Sequence, residues 1–401
     1  MTIRWSATTA LSVWLLMTMT SPAQAQNPYN VRIASPVAAT GNGSTDDWQA
    51  FTNVIASIPA SGGEVYIPAG TYYLSKTLDI QGKNIAFRGE GQGITKLVFY
   101  GGSTNGIQFS SNASPHYTLT VRRLSVLRGA GADGAGIQAK WPQLVSPMGY
   151  QNGGGLTAII EDVQVGVLSW PATGVHWHFG IQLSNATNAK ISQFSIQTGG
   201  IAGIQIAGNL PPQGAGGKSV DVQIRDGDIT SVTRGIESKD NSEAVQINSV
   251  VVRESVWGVI FWTSDGQGSL VANCQIHASN TGILVQDASH IAITNNAIWR
   301  LGAENFAGIS ITDGGGPIGK GYRVIGNSIF GPLRTQQRYG ILLRGNVRDS
   351  VIHSNISQNM FYGIWLDGPG VMGNHVWSNI NRWMDGAAIP PNAANYFDDN
   401  W

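Results

Sequence analysis

"GIQLS" at residues 180–184 and "GIQIA" at 203–207 are one five-residue pattern written twice, and the pattern runs along most of the chain. It reads "GIQFS" at 106, "GIQAK" at 136, "GIESK" at 235, "GVIFW" at 258, "GILVQ" at 282, "GISIT" at 308, "GILLR" at 340 and "GIWLD" at 363. Intervals are 23 to 44 residues, most of them 23 to 32. A second element follows: "ISQFSI" (191), "IRDGDI" (224), "VANCQI" (271), "ITNNAI" (293), "VIGNSI" (324) and "VMGNHV" (371). Apolar residues alternate in both, with no 3.6 period, so each reads as short strands joined at a bend. One repeat cannot bury its apolar face alone; stacked repeats bury it in one column.

Such repeats, carrying about three short strands each, predict an all-β, single-stranded parallel β-helix of about ten or more rungs. A β-propeller would need four longer antiparallel strands in each ~40–50 residues. At roughly 4.8 Å per rung, ten rungs make a rod some 40–45 Å long. Longer repeats hold loop insertions, which a solenoid tolerates. The bend position holds Phe194, Val250, Cys274, Asn296, Asn327 and Asn374, and the Asn residues are expected to stack as an amide ladder. Cys274 reads there as a small inward apolar residue.

An open β-helix end invites edge pairing, so a lid is needed. "GNGSTDDWQAFTNVIASIPASGGEVYIPAGTYYLS" (41–75) supplies one: a short helix capped by Thr45 or Asp46. Asp46 and Asp47 therefore read as helix-start residues, without a catalytic role.

Residues 1–25 have a signal-peptide pattern: Arg4, the apolar "ALSVWLLMTM", then Ala23-Gln24-Ala25. The expected plan is a signal peptide at 1–25 and one β-helix domain at 26–401, with cap and first coils at 30–100. The mature product is expected to be secreted or periplasmic, with no membrane segment after signal removal. One cysteine excludes an intrachain disulfide. Charged residues are 12% and net charge is zero, which argues against a nucleic-acid partner.

"GNGSTDD", the Gly-Gly and "IPAGTYYL" resemble the N-terminal signature of the pectate-lyase-like superfamily, in its rhamnogalacturonase-, epimerase- and tailspike-like branch. The resemblance is specific over residues 30 to about 100. It implies a right-handed solenoid and a carbohydrate ligand, usually a polysaccharide that is hydrolysed or cleaved by β-elimination. It transfers no catalytic residue: neither a polygalacturonase-type Asp-Asp pair nor a "DPHE"-like sequence is present.

Alternation places two files on the outward face of the Gly-Ile strands. One is Gln108, Gln138, Gln182, Gln205, Glu237, Ile260, Leu284, Ser310, Leu342, Trp365. The other is Ser110, Lys140, Ser184, Ala207, Lys239, Trp262, Gln286, Thr312, Arg344, Asp367. Asn185, Asp240, Asp287 and Asp313 follow at the strand ends. Glu237, Lys239 and Asp240 are the best-placed acid/base candidates. Asp287 and Asp313 fall on consecutive rungs, so their backbones are roughly 5 Å apart, in the range of about 5–9.5 Å that glycoside hydrolysis uses. The alternative for each Asp is a turn-forming role.

The long insertions bring Trp141, Tyr150, Trp170, His176, Trp177 and His178, which join Gln182, Gln205 and Trp262 as expected substrate contacts. Aromatic faces stack on sugar rings and His moves protons; the alternative is loop packing. His176-x-His178 could also present two imidazoles to a metal, but no third ligand is evident, so no metal site is expected. "GAGGKS" (214–219) lacks the context of a phosphate loop.

Three functions follow. A polysaccharide hydrolase would use these carboxylates and need no cofactor. A lyase acting on a uronate polymer would use Lys239 or a histidine as base, with Arg or calcium neutralising the sugar acid. A non-catalytic polysaccharide-binding or envelope solenoid would use the face for binding alone. Neutral charge favours hydrolysis. The partner in each case is a polysaccharide or oligosaccharide, and the sequence sets no oligomeric state.

Overall fold

The computed structural model describes residues 29–33, 36–100, 105–111, 117–131, 133–142, 156–169, 174–208, 217–262, 266–302, 305–313, 320–331, 338–382 and 395–398. The signal-like segment 1–25 lies outside them.

Each coil visits three parallel sheets in turn. In one coil, Ala292–Thr294 lies in the first sheet, Ala297–Arg300 in the second and Phe306–Thr312 in the Gly-Ile sheet. Arg323–Ile325, Ser328–Phe330 and Arg338–Arg344 then stack on those three in register. The result is the expected right-handed parallel β-helix. Ile181, Ile204, Ile236, Val259, Ile283, Ile309, Ile341 and Ile364 pair rung on rung and are all buried.

The recurring Gly has a steric cause. A Cβ on Gly180 would lie 2.6 Å from the Gly203 carbonyl oxygen and 2.7 Å from Ile196 Cγ2. Stacked backbone on one side and core isoleucine on the other leave no room for a side chain.

A single left-handed residue turns the chain from first to second sheet: Asp226, Ser249, Asn273, Asn295, Gly326, Ser354 and Ser378 hold this corner at φ of 51–69°. Gly, Asn and Asp accept that conformation at least cost. The next residue points inward, and here the amide ladder forms. Asn296 Nδ2 donates to Asn327 Oδ1 (2.9 Å), Asn327 to Asn355 (2.9 Å) and Asn355 to Asn379 (3.0 Å). Asn374 is not in this file. It belongs to the other corner, where it donates to Asn395 Oδ1 at 2.8 Å. "VMGNHV" has the spacing of the first bend but precedes the strand His375–Trp377 instead of following it. Cys274 sits where expected, 1% exposed, and burial pushes its thiol up to about 11.

The helix Trp48–Ser57 covers the N-terminal end with Ala50, Phe51, Val54 and Ile55 buried, Phe51 packing edge-on against Tyr72 at 5.5 Å. Asp47, and not Thr45 or Asp46, holds the N-cap position, and its side chain makes no capping bond. Its carboxylate instead accepts from Thr40 N (2.7 Å) and Gly41 N (3.1 Å), tying down the preceding loop. Asp46 accepts from the backbone N–H of Trp48 and of Ser75, both at 3.1 Å. Both acids are structural.

Candidate functional site

The outward face of the Gly-Ile sheet has the predicted register throughout. Gln108, Gln138, Gln182, Gln205 and Glu237 stack in one file, continued by Ile260, Leu284, Ser310, Leu342 and Trp365. Its first half is not a floor open to ligand. Gln182 and Gln205 are 5% and 3% exposed and Glu237 is 0% exposed. Their side chains bond one another in a single direction. Gln138 Nε2 donates to Gln182 Oε1 (2.5 Å), Gln182 to Gln205 (2.6 Å), and Gln205 to Glu237 Oε2 (2.6 Å). Asn105 starts the series, donating to Gln138 at 3.2 Å and, the other way, to Gln108 at 2.6 Å. Gln108 then donates to Asp79 at 3.4 Å. Every amide dipole thus points away from Asn105 towards a carboxylate at either end, as charge-assisted bonding favours.

Glu237 is held from its other side by Arg234, whose Nη1 lies 2.6 Å from Oε1. The guanidinium lies 4.7 Å from the Trp262 ring and 5.9 Å from Trp257. With both oxygens engaged and no exposed surface, Glu237 is poorly placed to exchange protons with a substrate. Lys239 and Asp240 form a separate pair at 3.4 Å.

Asp240 and Asp287 stand at corners with φ of 52° and 51°, the conformation that Asn185 adopts at 54°. They act as turn residues as well as carboxylates. Asp313 follows on the next rung in an ordinary conformation; Asp287 N and Asp313 N continue the ladder to Thr312 O and Arg344 O, both at 3.1 Å. The two acids reach a common neighbour: buried Tyr322, whose hydroxyl is raised first by burial and then by the charges of Asp313 and Asp287.

The expected aromatic walls are differently disposed. Trp177 is 0% exposed, packed against Phe99 at 6.0 Å and beneath the Arg128 guanidinium at 4.7 Å. Trp141 is 3% exposed, its indole N–H donating to Tyr117 O (2.8 Å) and its ring against Phe109. Neither offers a face to a sugar: both close the core. Tyr150 and Trp170 lie outside the described residues. His176 and His178 do project to one side, ring centres 5.5 Å apart. His178 Nδ1 lies 3.7 Å from Asp133 Oδ1. Burial lowers the pKa of His176, with His178 and Arg128 adding to the effect.

Farther along the same face is a cleft that no single residue type advertised. It encloses about 270 Å3 and is lined by Asn280, Thr281, Asn305, Phe306, Ala307, Ser310, Tyr339, Leu342 and Arg344. Tyr339 and Tyr362 stack at 5.6 Å, Trp365 lies 4.2 Å from Tyr362, and Arg344 Nε bonds Asp367 Oδ2 at 2.6 Å. Burial raises the Tyr339 phenol above its ordinary pKa. The shift of the outward files from polar to apolar and aromatic was the only signal in the sequence.

Comparison with known proteins fits this architecture. A family model described as rhamnogalacturonase A/epimerase, pectate lyase-like, matches residues 34–118. A second, described as periplasmic copper-binding protein (NosD), matches 212–385. Over residues 34–118 the chain is similar to the pectate-lyase-like family, and its fold is a parallel β-helix. The A-module of the Azotobacter vinelandii mannuronan C-5 epimerase AlgE4 superposes with a TM-score of 0.66 at 18% identity, covering 93% of this chain and 100% of that one. The DFA-IIIase of Arthrobacter chlorophenolicus A6, without its lid, gives 0.65 at 15% identity, covering 92% and 98%. The pre-mature gene product 12 of bacteriophage phi29 gives 0.61 at 14%, covering 88% and 52%. At these identities the likeness is one of fold. No curated protein sequence matches the chain.

The NosD description raises the question of copper. Among the described residues, no three His, Cys, Asp or Glu side chains converge. Within the matched stretch, His277, His353 and His375 lie on separate files, stacked on Trp299, Trp377 and Tyr396, and His290 stands at a corner with its Nδ1 3.1 Å from Ser289 Oγ. Cys274 is buried with its thiol protonated. These residues do not fit a copper centre.

Proposed function

We propose that this β-helix is an exported carbohydrate-active enzyme that binds an acidic polysaccharide along the Gly-Ile sheet and moves a proton at the sugar carbon bearing the carboxylate. The observation that carries the reading is Arg344 and Tyr339 sharing one cleft. A guanidinium neutralises a sugar carboxylate and so acidifies the neighbouring C–H. Tyr339, a phenol that even at its ordinary pKa is protonated at neutral pH, can donate to a departing glycosidic oxygen. Asp367, bonded to Arg344, is the carboxylate on that wall and the candidate proton acceptor. Ser310, Asn280 and Asn305 offer hydrogen bonds to hydroxyls, and Tyr362 and Trp365 an aromatic margin. The signal-like N-terminus and the periplasmic description of the second family model support export.

Removal of that proton is common to β-elimination and to inversion at the same carbon. The likeness to a mannuronan C-5 epimerase keeps both within the reading. Hydrolysis by Asp287 and Asp313 is the second reading, favoured by their places on consecutive rungs and by their common neighbour Tyr322. Product analysis on a panel of polyuronates and neutral polysaccharides separates them. Elimination yields a conjugated double bond and a product one water lighter than the hydrolytic one. Inversion leaves the mass unchanged. Water-added reducing ends, lost in Asp287→Asn or Asp313→Asn but kept in Arg344→Gln, would replace the first reading with the second. No product from any polymer would leave the non-catalytic solenoid.

A further inference from the structure

The same face carries a second cation outside the cleft. Arg234 Nη1 is fixed 2.6 Å from Glu237 Oε1, and the remaining oxygen of Glu237 accepts from Gln205 Nε2 at 2.6 Å. The carboxylate is therefore consumed on the protein side and has no exposed surface. The guanidinium is different: its side chain stays 24% exposed, backed by Trp262 and Trp257. A guanidinium has five N–H donors, and this one gives only one nitrogen to Glu237. The pair is a dipole with its negative end buried and its positive end partly exposed.

Packing alone does not require it. On the next rung the Glu237 file holds Ile260 and the Arg234 file holds Trp257, so the coil accommodates apolar residues at both positions. A buried ion pair retained where apolar residues fit is weak evidence of a stabilising role, and its rigid geometry suits a bidentate anion.

We infer that Arg234 is an anion subsite for the carboxylates of the bound polymer, with Glu237 as the positioning residue that holds it. The inference rests on reading this face as a polysaccharide groove. Arg234 is four rungs from Tyr339, and Lys239 is four rungs from Arg344. The two guanidinium-bearing levels are thus about 19 Å apart at about 4.8 Å per rung. A polymer with an acid on successive sugars reaches both, while a short oligomer reaches one. Preorganisation by Glu237 cuts the ordering cost of the contact.

The test is binding, measured apart from turnover, by the full mature chain to a polyuronate, a sulfated polysaccharide and a neutral glucan of similar length, and to short uronate oligomers. Arg234→Gln should weaken long-polyuronate binding by about tenfold or more and leave the neutral glucan and short oligomers unchanged. Glu237→Gln, which removes the charge but keeps the shape, should move binding in the same direction by a smaller factor. Arg234→Lys should fall between, and supplies the readout if Arg234→Gln does not fold. Equal weakening with the sulfated polymer assigns the subsite to anions at large; weakening confined to the polyuronate assigns it to carboxylate. Wild-type polyuronate affinity in a folded Arg234→Gln variant of lowered thermal stability would make the clamp purely structural and overturn the inference. Absence of product from every polymer would sink the catalytic proposal and leave this test intact.

Discussion

From Asp79 to Glu237 the central outward file of the Gly-Ile sheet is closed by bonds from side chain to side chain; from Ile260 to Trp365 the same file is mostly apolar and opens on a cleft beside Ser310 and Leu342. Backbone register is the same in both halves. The difference lies in what neighbouring side chains can do for one another. Stacked amides of equal length bond to one another along the file, and Gln182 and Gln205 are buried in it. Leu284, Ser310 and Leu342 differ in size and cannot bond along the file, so a cleft remains beside Ser310 and Leu342. A file of identical polar residues in a β-helix is thus a mark of structure, and the place where the identity breaks is the place to look for a site.

The sharpest way to break this comparison is to cut the closed half at its charged end. Glu237→Ala leaves Arg234 without its partner and Gln205 without its acceptor. Breaking a buried pair by removing one member costs about 3–5 kcal/mol. Urea unfolding should show that loss, and Arg344→Ala should show almost none, since the Arg344–Asp367 pair is 55% and 39% exposed and such pairs contribute about 0–1 kcal/mol. Activity should rank the two variants in reverse. Equal stability losses would mean that the open half is as tightly built as the closed one.

A smaller effect separates the two kinds of residue in one corner file. Asn327 makes five bonds with its side chain: to Asn355, Ile293 O and Ile325 O as donor, and from Asn296 Nδ2 and Asn296 N as acceptor. Asn327→Ala strands polar groups in both neighbours and should cost about 2–4 kcal/mol. Cys274→Ala, lower in the file, removes a small apolar group and should cost about 1 kcal/mol. The native Cys274 thiol, buried and held near 11, should resist thiol reagents until the chain unfolds. Equal costs for the two variants would show that the amide ladder adds nothing beyond the space it fills.

What could be read from the sequence followed from backbone geometry. The Gly-Ile spacing gave both outward files without a register error, because a parallel coil stacks like on like and Gly is forced by the contact at Gly180 and its equivalents. Asn374 was misplaced because two corners of the coil carry a left-handed residue followed by an inward one, and "VMGNHV" fits either. The site was less legible for a different reason. Alternation says that Gln182 and Glu237 point away from the barrel, but says nothing of whether their neighbours cover them. Nor does a Trp in a loop reveal whether its face is free, and Trp141 and Trp177 spend theirs on Phe109 and Phe99. The cleft is a property of space between side chains, so only the apolar drift of the later rungs hinted at it.

The smallest effect concerns protons, with one histidine in each half. His176 stands beside His178 and Arg128, and His277 beside Arg253 and against the Trp299 ring. Burial is the main cause of the lowering in both, with the neighbouring positive groups adding to it, so both titrate below the ordinary 6.5 in the folded chain. In the unfolded chain they protonate at the ordinary value. As pH falls through 6.5 the unfolded state takes up protons first, and stability is lost on the acid side until the folded rings also titrate. The urea midpoint should therefore drop between about pH 7.5 and about pH 5.5, and His176→Asn and His277→Asn should each remove part of the drop. If the double variant retains all of it, the proton uptake does not belong to these two histidines.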